Sequence, residues 1–350
     1  MPSPPEGAVL SRSPGDEPGA RIAVVIPAYR VKAQLADVIA GVGPECSAIY
    51  VVDDACPEGS AAAAEAASDR RVRVLRHEAN RGVGAATLTG YRAALADGHD
   101  VVVKLDGDGQ MDPSLVPELV RPILEGRADY VKGNRFYDLE GLRAMPPLRL
   151  VGNALLSFVT KLSTGYWDLF DPTNGMTAID AGVARMLPFE KLSERYFFES
   201  DVLFRLGTLR AVVRDVPMPA RYGEEHSGLE PLRVVPEFLG KHLRNTAKRL
   251  FYGYFLRNFS VASLELVLGP ILIAFGTTVG TIGWSRSYTE GEFASSGTVM
   301  VAALPILIGL QLLLAFLGYD IQNVPRDPLR NRLARPRGDA PPEPDRSASG

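Results

Sequence analysis

Short apolar runs alternate with helical patterns along the first two thirds of the chain. Each run is only a few residues long and is followed by turn residues, which is the pattern of a buried strand. The predicted strands are residues 22–26, 48–52, 72–75, 101–103, 129–133 and 211–216. The predicted helices between them are residues 33–42, 60–67, 80–95, 114–124 and 149–162. This alternation predicts an α/β domain with a mostly parallel sheet.

The pattern changes in the last third of the chain. Residues 237–257 mix basic and aromatic residues at helical spacing, which is typical of a helix on a membrane surface or on a nucleic acid. Two apolar runs follow, at residues 260–284 and 298–317, and each is about long enough to cross a bilayer. These runs favour the membrane, although a buried hairpin of a soluble protein would show the same pattern.

Basic residues lie at the outer ends of the two apolar runs and are nearly absent from the loop that connects them. They precede the first run within residues 237–257 and follow the second as four arginines between residues 326 and 335. The connecting loop carries one arginine and two glutamates. By the positive-inside rule we expect a multi-pass protein of the inner (plasma) membrane, with the α/β domain and both termini in the cytoplasm.

Composition adds little to this organisation. The 350 residues carry a formal net charge of −3, which gives no indication of nucleic-acid binding. Two cysteines are too few for a disulfide framework and fit a reduced compartment. We divide the chain into a disordered tail (1–20), an α/β domain (21–230), interface helices (231–259), a transmembrane hairpin (260–319) and a largely disordered cytoplasmic tail (320–350).

Residues 104–113 carry the strongest chemical signal. Asp106, Asp108 and Gln110 directly follow a predicted buried strand. Ligands bind at the carboxyl ends of strands in open α/β sheets, and alternate residues of an extended chain share a side. Carboxylate and amide oxygens suit Mg²⁺ or Mn²⁺ held jointly with a diphosphate. A solvated turn could have the same composition, but the position after a buried strand favours a metal site.

Further polar residues follow the neighbouring strands. Asp53 and Asp54 end the second strand, where they either cap the next helix or contact a nucleotide. Tyr29 is either a loop aromatic or a wall against a nucleobase. Residues 80–86 place glycines at a helix start, where backbone N–H groups can approach a phosphate. Their spacing is that of neither a P-loop nor a dinucleotide-binding fingerprint.

Two carboxylates lie in an aromatic and aliphatic run. Glu199 and Asp201 belong to residues 197–204, where a charge is costly unless it is paired or used. If the chemistry needs a general base, Asp201 is the first candidate and Glu199 the second. Residues 221–228 form a polar segment that we expect to close over substrate. His226 has no partners at metal-ligand spacing.

Together these motifs resemble family 2 glycosyltransferases with the GT-A fold, nearest to the dolichol-phosphate-mannose synthase and polyprenyl-phosphate glycosyltransferase branch. The resemblance covers about residues 22–227. It rests on four motifs, which are Pro27-Ala28-Tyr29, Asp53-Asp54, Asn80-Arg81-Gly82 and Asp106-Gly107-Asp108-Gly109-Gln110. It implies a Rossmann-like, mostly parallel GT-A domain, followed by an amphipathic interface helix and two transmembrane helices.

The resemblance also implies three groups of site residues. The nucleotide sugar would be bound by Pro27, Tyr29, Asp53, Asp54, Asn80, Gly82 and Asp106. The metal would be bound by Asp106, Asp108 and Gln110. The acceptor phosphate would be held by Arg135, Arg221, His226 and Ser227. Residues 171–175 resemble the sugar-site turn of the family, and the expected catalytic residues are Asp108, Arg135 and Asp201.

The implied function is inverting transfer of a hexose from UDP- or GDP-hexose to a membrane polyprenyl phosphate on the cytoplasmic face, with Mg²⁺ or Mn²⁺ as cofactor. A phosphate acceptor is already an anion near neutral pH and needs no strong base. The alternatives are transfer to a hydroxyl of a lipid or lipid-linked glycan, and a non-catalytic membrane scaffold. A nucleotidyltransferase would have a Gly-rich, basic loop after the first strand, and Pro27-Ala28-Tyr29-Arg30 is not such a loop. The oligomeric state stays open, and a homo-oligomer is compatible with the resemblance.

Overall fold

A seven-stranded sheet forms the centre of the N-terminal domain. The computed structural model describes residues 19–137, 147–171, 174–219, 231–291 and 293–333. The strands are β1 (Ile22–Ala28), β2 (Cys46–Asp53), β3 (Val72–Arg76), β4 (Val101–Lys104), β5 (Tyr130–Asn134), β6 (Thr177–Asp180) and β7 (Val213–Pro217). Their order is β3-β2-β1-β4-β6-β5-β7. All neighbouring strands are parallel except that β6 runs antiparallel to β4 and β5.

The predicted mostly parallel α/β sheet is confirmed, but the sequence analysis missed β6. This strand is four residues long and ends in Asp180, so it leaves no apolar run that periodicity could detect. Its register places Thr177 opposite Lys104 on one side and opposite Lys132 on the other. Two buried lysines therefore lie in one row across the sheet.

Helices cover both faces of the sheet. They are α1 (Lys32–Gly41), α2 (Ser60–Glu65), α3 (Val83–Ala96), α4 (Val116–Leu124), α5 (Pro147–Thr164), α6 (Ala181–Ala184) and α7 (Phe198–Leu209). Single 3-10 turns lie at Pro113–Leu115, Arg135–Tyr137 and Phe189–Lys191. Successive side chains of β1 point to opposite faces. Val24 therefore packs with α1 and α4 in one core layer, and Val25 packs with α3 and α7 in the other.

Two long apolar helices follow the domain. Helix α8 (Pro231–Phe251) and a π-helical turn (Tyr252–Arg257) lead into α9 (Val261–Glu290), and α10 (Ser296–Gln322) runs back along it. Both α9 and α10 are long and apolar enough to cross a membrane, and only 11% of the most apolar window of each is buried. The core helix of a soluble protein would instead be mostly buried, so this part of the chain has the character of a membrane protein.

The chain after α10 returns to the N-terminal domain. Helix α11 (Leu329–Leu333) begins with the backbone N–H groups of Leu329 and Arg330, which donate to the buried carboxylate of Asp129 at 2.8 Å each. The side chain of Arg330 also donates to the carbonyl of Ile123. This part of the chain had been expected to belong to a largely disordered tail. It is ordered because Asp129 binds it, and hydrophobic periodicity does not reveal such a contact.

Candidate active site

A cavity of about 440 Å³ lies at the carboxyl edge of the sheet, within the size range of small-molecule sites. Its walls come from residues that follow β1, β2 and β4, from the start of α3 and from the segment before α7. The charged, polar and aromatic residues on these walls include Tyr29, Asp54, Asn80, Asp106, Asp108, Arg195 and Tyr196, and Pro27 and Gly82 lie beside them. The structure thus brings together seven of the residues that the sequence singled out, whereas Asp53 and Gln110 do not line the cavity.

Lys104 joins two carboxylates at the end of β4. The lysine side chain is 1% exposed, and its ammonium lies 2.7 Å from Asp106 Oδ1 and 3.0 Å from Glu199 Oε1. It also donates to the carbonyl of Gly175 at 3.3 Å. Burial alone would lower the pKa of Lys104, but the two carboxylates outweigh burial and hold this pKa above its usual value. The lysine is therefore charged and fixes Asp106 and Glu199 in one network.

The sequence analysis expects Asp108 on an extended chain, but β4 ends at Lys104 and Asp108 lies on a turn. Gly109 takes a φ of 75°, and Asp108 Oδ1 accepts the backbone N–H of Gln110 at 3.0 Å. Within the described residues, no group of three or more His, Cys, Asp or Glu side chains could hold a metal ion. Asp106 and Asp108 still fit a hard divalent cation, which typically binds one or two carboxylates and completes its shell with substrate phosphates and water.

Asp54 binds the loop that opens α3. Its Oδ1 accepts the backbone N–H of Arg81 at 2.9 Å and lies 2.7 Å from Nδ1 of His77, and its Oδ2 accepts the backbone N–H of Gly82 at 2.7 Å. These contacts compensate the burial of the carboxylate. Asp53 differs, because its Oδ1 accepts the backbone N–H of Cys56 at 2.9 Å and stabilises the turn after β2.

The segment of residues 193–196 packs against the start of α3. Gly82 has a φ of 103°, and a Cβ at this position would lie 2.7 Å from the carbonyl oxygen of Glu194. Only glycine therefore allows the two backbones to approach this closely. The contact places Arg195 and Tyr196 on the cavity wall.

Asp201 supports this segment and does not line the cavity. Its Oδ2 accepts the backbone N–H of Ser193 at 3.0 Å and the hydroxyl of Ser193 at 3.3 Å. Its Oδ1 lies 3.7 Å from the guanidinium of Arg205. The role of Asp201 as a base stays a prediction, while the contacts give it a supporting role. Glu199, the second candidate, is linked to Asp106 through Lys104.

Arg135 begins the 3-10 turn after β5 and forms a bidentate pair with Asp171. Its Nε and Nη2 lie 2.8 and 3.0 Å from the two carboxylate oxygens. Asp171 is buried, whereas the side chain of Arg135 is 31% exposed, so the pair orients a partly exposed cation. Nearby, Lys132 donates to the carbonyl of Asn174 at 2.5 Å, and burial lowers the pKa of Lys132 to about 8.

Several predicted residues lie outside the described residues. Arg221, His226 and Ser227, expected to hold the acceptor phosphate, are among them. So are residues 172 and 173 of the expected sugar-site turn.

Sequence reasoning missed Lys104, His77, Arg195 and Tyr196. A signal existed for Lys104, since it ends a strand of three valines, and a lysine there is costly unless it is paired. The other three follow from contacts between distant segments, and their sequence neighbourhoods give no comparable signal.

The sequence comparisons with known proteins also indicate a glycosyltransferase. A sequence profile described as Glycosyl transferase family 2 matches residues 23–187. The chain is 32% identical to a UDP-N-acetylglucosamine–dolichyl-phosphate N-acetylglucosaminyltransferase of Methanococcus voltae. This alignment of 154 residues covers 44% of this chain and 61% of that protein. The chain is also 31% identical to an undecaprenyl-phosphate mannosyltransferase of Micrococcus luteus. This alignment of 208 residues covers 57% of this chain and 82% of that protein.

One solved structure among those that align is glucosyl-3-phosphoglycerate synthase from Mycobacterium tuberculosis in complex with Mn²⁺ and UDP-glucose. The alignment covers 66% of this chain and 79% of that chain, with 25% identity and a TM-score of 0.48.

Proposed function

Because the chain belongs to glycosyl transferase family 2, we propose that it transfers one hexose from a nucleoside diphosphate sugar to a polyprenyl phosphate, with inversion at the anomeric carbon. Two relatives are named for transfer to dolichyl phosphate and to undecaprenyl phosphate. The observation that carries the proposal for this chain is the pair of carboxylates, Asp106 and Asp108, on the wall of the 440 Å³ cavity.

The cavity wall supports binding of a nucleotide sugar. Tyr29 is 40% exposed and offers a ring face to a nucleobase, with Asp54 beside it. The N-terminus of α3 favours the diphosphate through its dipole and through Val83, which lines the cavity, since the N–H groups of Gly82 and Ala85 already donate to Asp54 and Glu194. Arg195 lies on the same wall, and its guanidinium would bind the diphosphate through charge-assisted hydrogen bonds.

Asp106 and Asp108 would hold Mg²⁺ or Mn²⁺ together with the donor diphosphate. A divalent cation bound there neutralises the negative charge that develops on the leaving group. Lys104 engages Asp106 through Oδ1 and thereby fixes the orientation of its carboxylate. Glu199 balances the charge of the lysine, so that the ammonium does not repel the cation unopposed.

The acceptor phosphate would bind near Arg135, and its isoprenoid chain would lie along α5. A groove of about 290 Å³ lies between α5 and Phe170, and Phe136, the residue after this arginine, is on its wall. Phe158 and Phe170 expose 48% and 58% of their surface, and the ammonium of Lys161 lies 4.5 Å from the Phe170 ring centroid. Apolar walls with one cation suit a phosphate on an apolar chain. The acceptor oxygen is already ionised, so the reaction does not depend on a strong general base.

Helices α9 and α10 would cross the inner membrane, with the catalytic domain in the cytoplasm. The segment before α9 and the segment after α10 both contact the N-terminal domain, which supports placing both ends of the hairpin on its side. The basic residues also lie at these two ends, and the positive-inside rule favours the cytoplasm for them.

A radiolabel transfer assay in detergent tests the proposal. Purified protein receives Mg²⁺ or Mn²⁺, a panel of UDP- and GDP-hexoses, and undecaprenyl phosphate, with Asp108→Ala as the inactive control. Label that enters the organic phase as a product labile to mild acid would support the proposal and identify the donor. Donor hydrolysis without labelled lipid would contradict the acceptor assignment. Failure to bind any nucleotide sugar would favour a non-catalytic scaffold.

A further inference from the structure

A second cavity, of about 270 Å³, lies where the N-terminal domain meets the two apolar helices. Its walls come from the ends of α5 and α7, from the π-helical turn before α9 and from the end of α10. Three arginines line it, Arg210, Arg249 and Arg257, together with one carboxylate, Asp320. The proposed transfer reaction uses none of these residues.

The carboxylate of Asp320 is already neutralised. Arg249 forms a bidentate pair with it at 2.7 and 2.9 Å. The hydroxyl of Tyr254 donates to it at 2.6 Å, and Nε1 of Trp167 donates at 2.9 Å. These four contacts leave no negative charge on the cavity wall to balance the other two arginines.

Arg210 and Arg257 have backbone partners in place of carboxylates. Arg210 donates to the carbonyl of Asn323 at 2.8 Å, and Arg257 donates to the carbonyl of Thr208 at 2.7 Å. Within the part of the chain that the structure describes, no ion pair is formed by either guanidinium. Each of these hydrogen bonds uses one of the five N–H donors of a guanidinium, and a carbonyl does not cancel the charge. The cavity wall therefore keeps two uncompensated positive charges.

The cavity lies at the level where both apolar helices end. Arg257 stands just before α9, and Asn323 stands just after α10. Exposed apolar side chains lie close to Arg257 in the chain, with Leu256 63% and Phe259 64% exposed. Aromatic and basic residues at the ends of spans lie at the depth of lipid head groups.

The location separates this cavity from the reaction site. Arg210 lies three residues before Val213, the first residue of β7, which pairs in parallel with Tyr130 at the start of β5. It therefore lies at the amino edge of the sheet, whereas Asp108 lies at the carboxyl edge. The five residues of β5 place these edges on the order of 15 Å apart. A phosphate held in this cavity cannot reach the anomeric carbon of the donor.

We propose that this cavity binds the phosphate of an anionic membrane phospholipid, with Arg210 and Arg257 as its cationic ligands. Two guanidinium groups match the phosphate oxygens of a phosphodiester through charge-assisted hydrogen bonds. Basic pockets beside membrane spans on the cytoplasmic side suit anionic head groups. The acyl chains would lie against Leu256 and Phe259. This inference rests on the proposed membrane placement of α9 and α10 and does not depend on the transfer reaction.

Native mass spectrometry of the full chain released from lipid nanodiscs tests the proposal. The nanodiscs contain equal amounts of phosphatidylglycerol and phosphatidylcholine, and one arm adds undecaprenyl phosphate. We expect the wild-type chain to retain phosphatidylglycerol about tenfold over phosphatidylcholine, and Arg210→Gln with Arg257→Gln to lose this preference. The control combines Arg244→Gln with Lys248→Gln, which removes two charges from the exposed surface of α8 and keeps the preference.

Equal retention of the two phospholipids by the wild-type chain would overturn the proposal, even if the double variant failed to fold. An unchanged preference in a folded double variant would overturn it as well. Preferential retention of undecaprenyl phosphate would overturn the assignment to a phospholipid. No donor is present in the nanodiscs, so lipid retention is measured independently of transfer. A chain that retains phosphatidylglycerol here but transfers no sugar in the radiolabel assay would contradict only the proposed function.

Discussion

The ammonium of Lys104 lies 3.0 Å from Oε1 of Glu199, although the two residues belong to a strand and a helix far apart in the chain. The side chains are 1% and 12% exposed, so water does little to screen the pair. The same ammonium holds Asp106, which lines the cavity at the carboxyl edge of the sheet. A buried cation thus connects the interior of the domain to the proposed metal site.

Lys104→Met should destabilise the domain and impair donor binding. Removing one partner of a buried ion pair leaves an uncompensated charge and costs about 3–5 kcal/mol. Lys132→Met is the matched control, because Lys132 is equally buried but donates to a carbonyl and contacts no carboxylate at ion-pair distance among the described residues. Denaturant unfolding and calorimetric titration with donor and Mn²⁺ measure both effects. Wild-type donor affinity in a folded Lys104→Met would contradict the proposed role.

Gly82→Ala should raise the KM for the donor by about tenfold or more, because small displacements at a binding site are costly. The added Cβ would press on the carbonyl of Glu194 and displace the segment that carries Arg195 and Tyr196. Gly59→Ala is the control, since Gly59 also has a positive φ, of 78°, but open space around its Cβ position. Steady-state kinetics compare the two variants. An equal change of KM in both would assign the effect to backbone strain alone.

Asp201→Asn should leave most of the transfer activity, within about threefold of wild type, because a phosphate acceptor needs no strong base. The asparagine keeps an oxygen that can accept the backbone N–H of Ser193. Asp201→Ala removes that acceptor and should reduce donor affinity through the displaced segment. A loss of about a hundredfold or more in kcat for Asp201→Asn, with unchanged melting temperature, would instead identify a general base and a hydroxyl acceptor.

Protonation of His242 should weaken the packing of α8 on the domain at acid pH. The ring lies 4.9 Å from that of Phe197, and its Nδ1 is 2.8 Å from the hydroxyl of Ser163. Burial lowers the pKa of His242 to about 4, below its usual value near 6.5. The unfolded chain therefore binds the proton first. Stability is full above about pH 6.5 and decreases as the pH falls towards 4, by at most about 1.4 kcal/mol per unit.

The melting temperatures of the wild type and His242→Gln are compared between pH 7.5 and 4.5 in one detergent. The difference between the two proteins isolates the effect of His242 protonation on stability from that of the carboxylates. The wild-type value should fall more steeply below pH 6.5. Parallel pH profiles for the two proteins would show that the buried histidine is not the cause.

Periodicity and strand-end chemistry predicted much of this fold and of the cavity at the carboxyl edge of the sheet. The apolar runs identified every strand except β6, whose four residues lack a run of their own. The Asp106 and Asp108 pair was predictable because a buried strand directly precedes it. Periodicity sees neighbours along the chain, however, and Lys104 meets Glu199 only after folding.

Helix geometry explains why one predicted catalytic residue faces elsewhere. Glu199 and Asp201 were predicted from the same apolar run as two functional carboxylates. Their helix α7 turns about 100° per residue, so two side chains two positions apart lie about 200° apart around its axis. Glu199 therefore meets Lys104, while Asp201 meets Ser193. Hydrophobic periodicity does not show which of the two carboxylates faces the cavity side of the helix.

The most direct test compares two acceptors that share one isoprenoid chain and differ in whether it ends in a phosphate or a hydroxyl. The wild-type chain receives the donor identified in the transfer assay, with Mn²⁺, and either undecaprenyl phosphate or undecaprenol at equal concentration. We predict label in the lipid fraction with the phosphate and none above the Asp108→Ala background with the alcohol. Transfer to undecaprenol at a comparable rate, or to neither lipid, would contradict the assignment of a polyprenyl phosphate as acceptor.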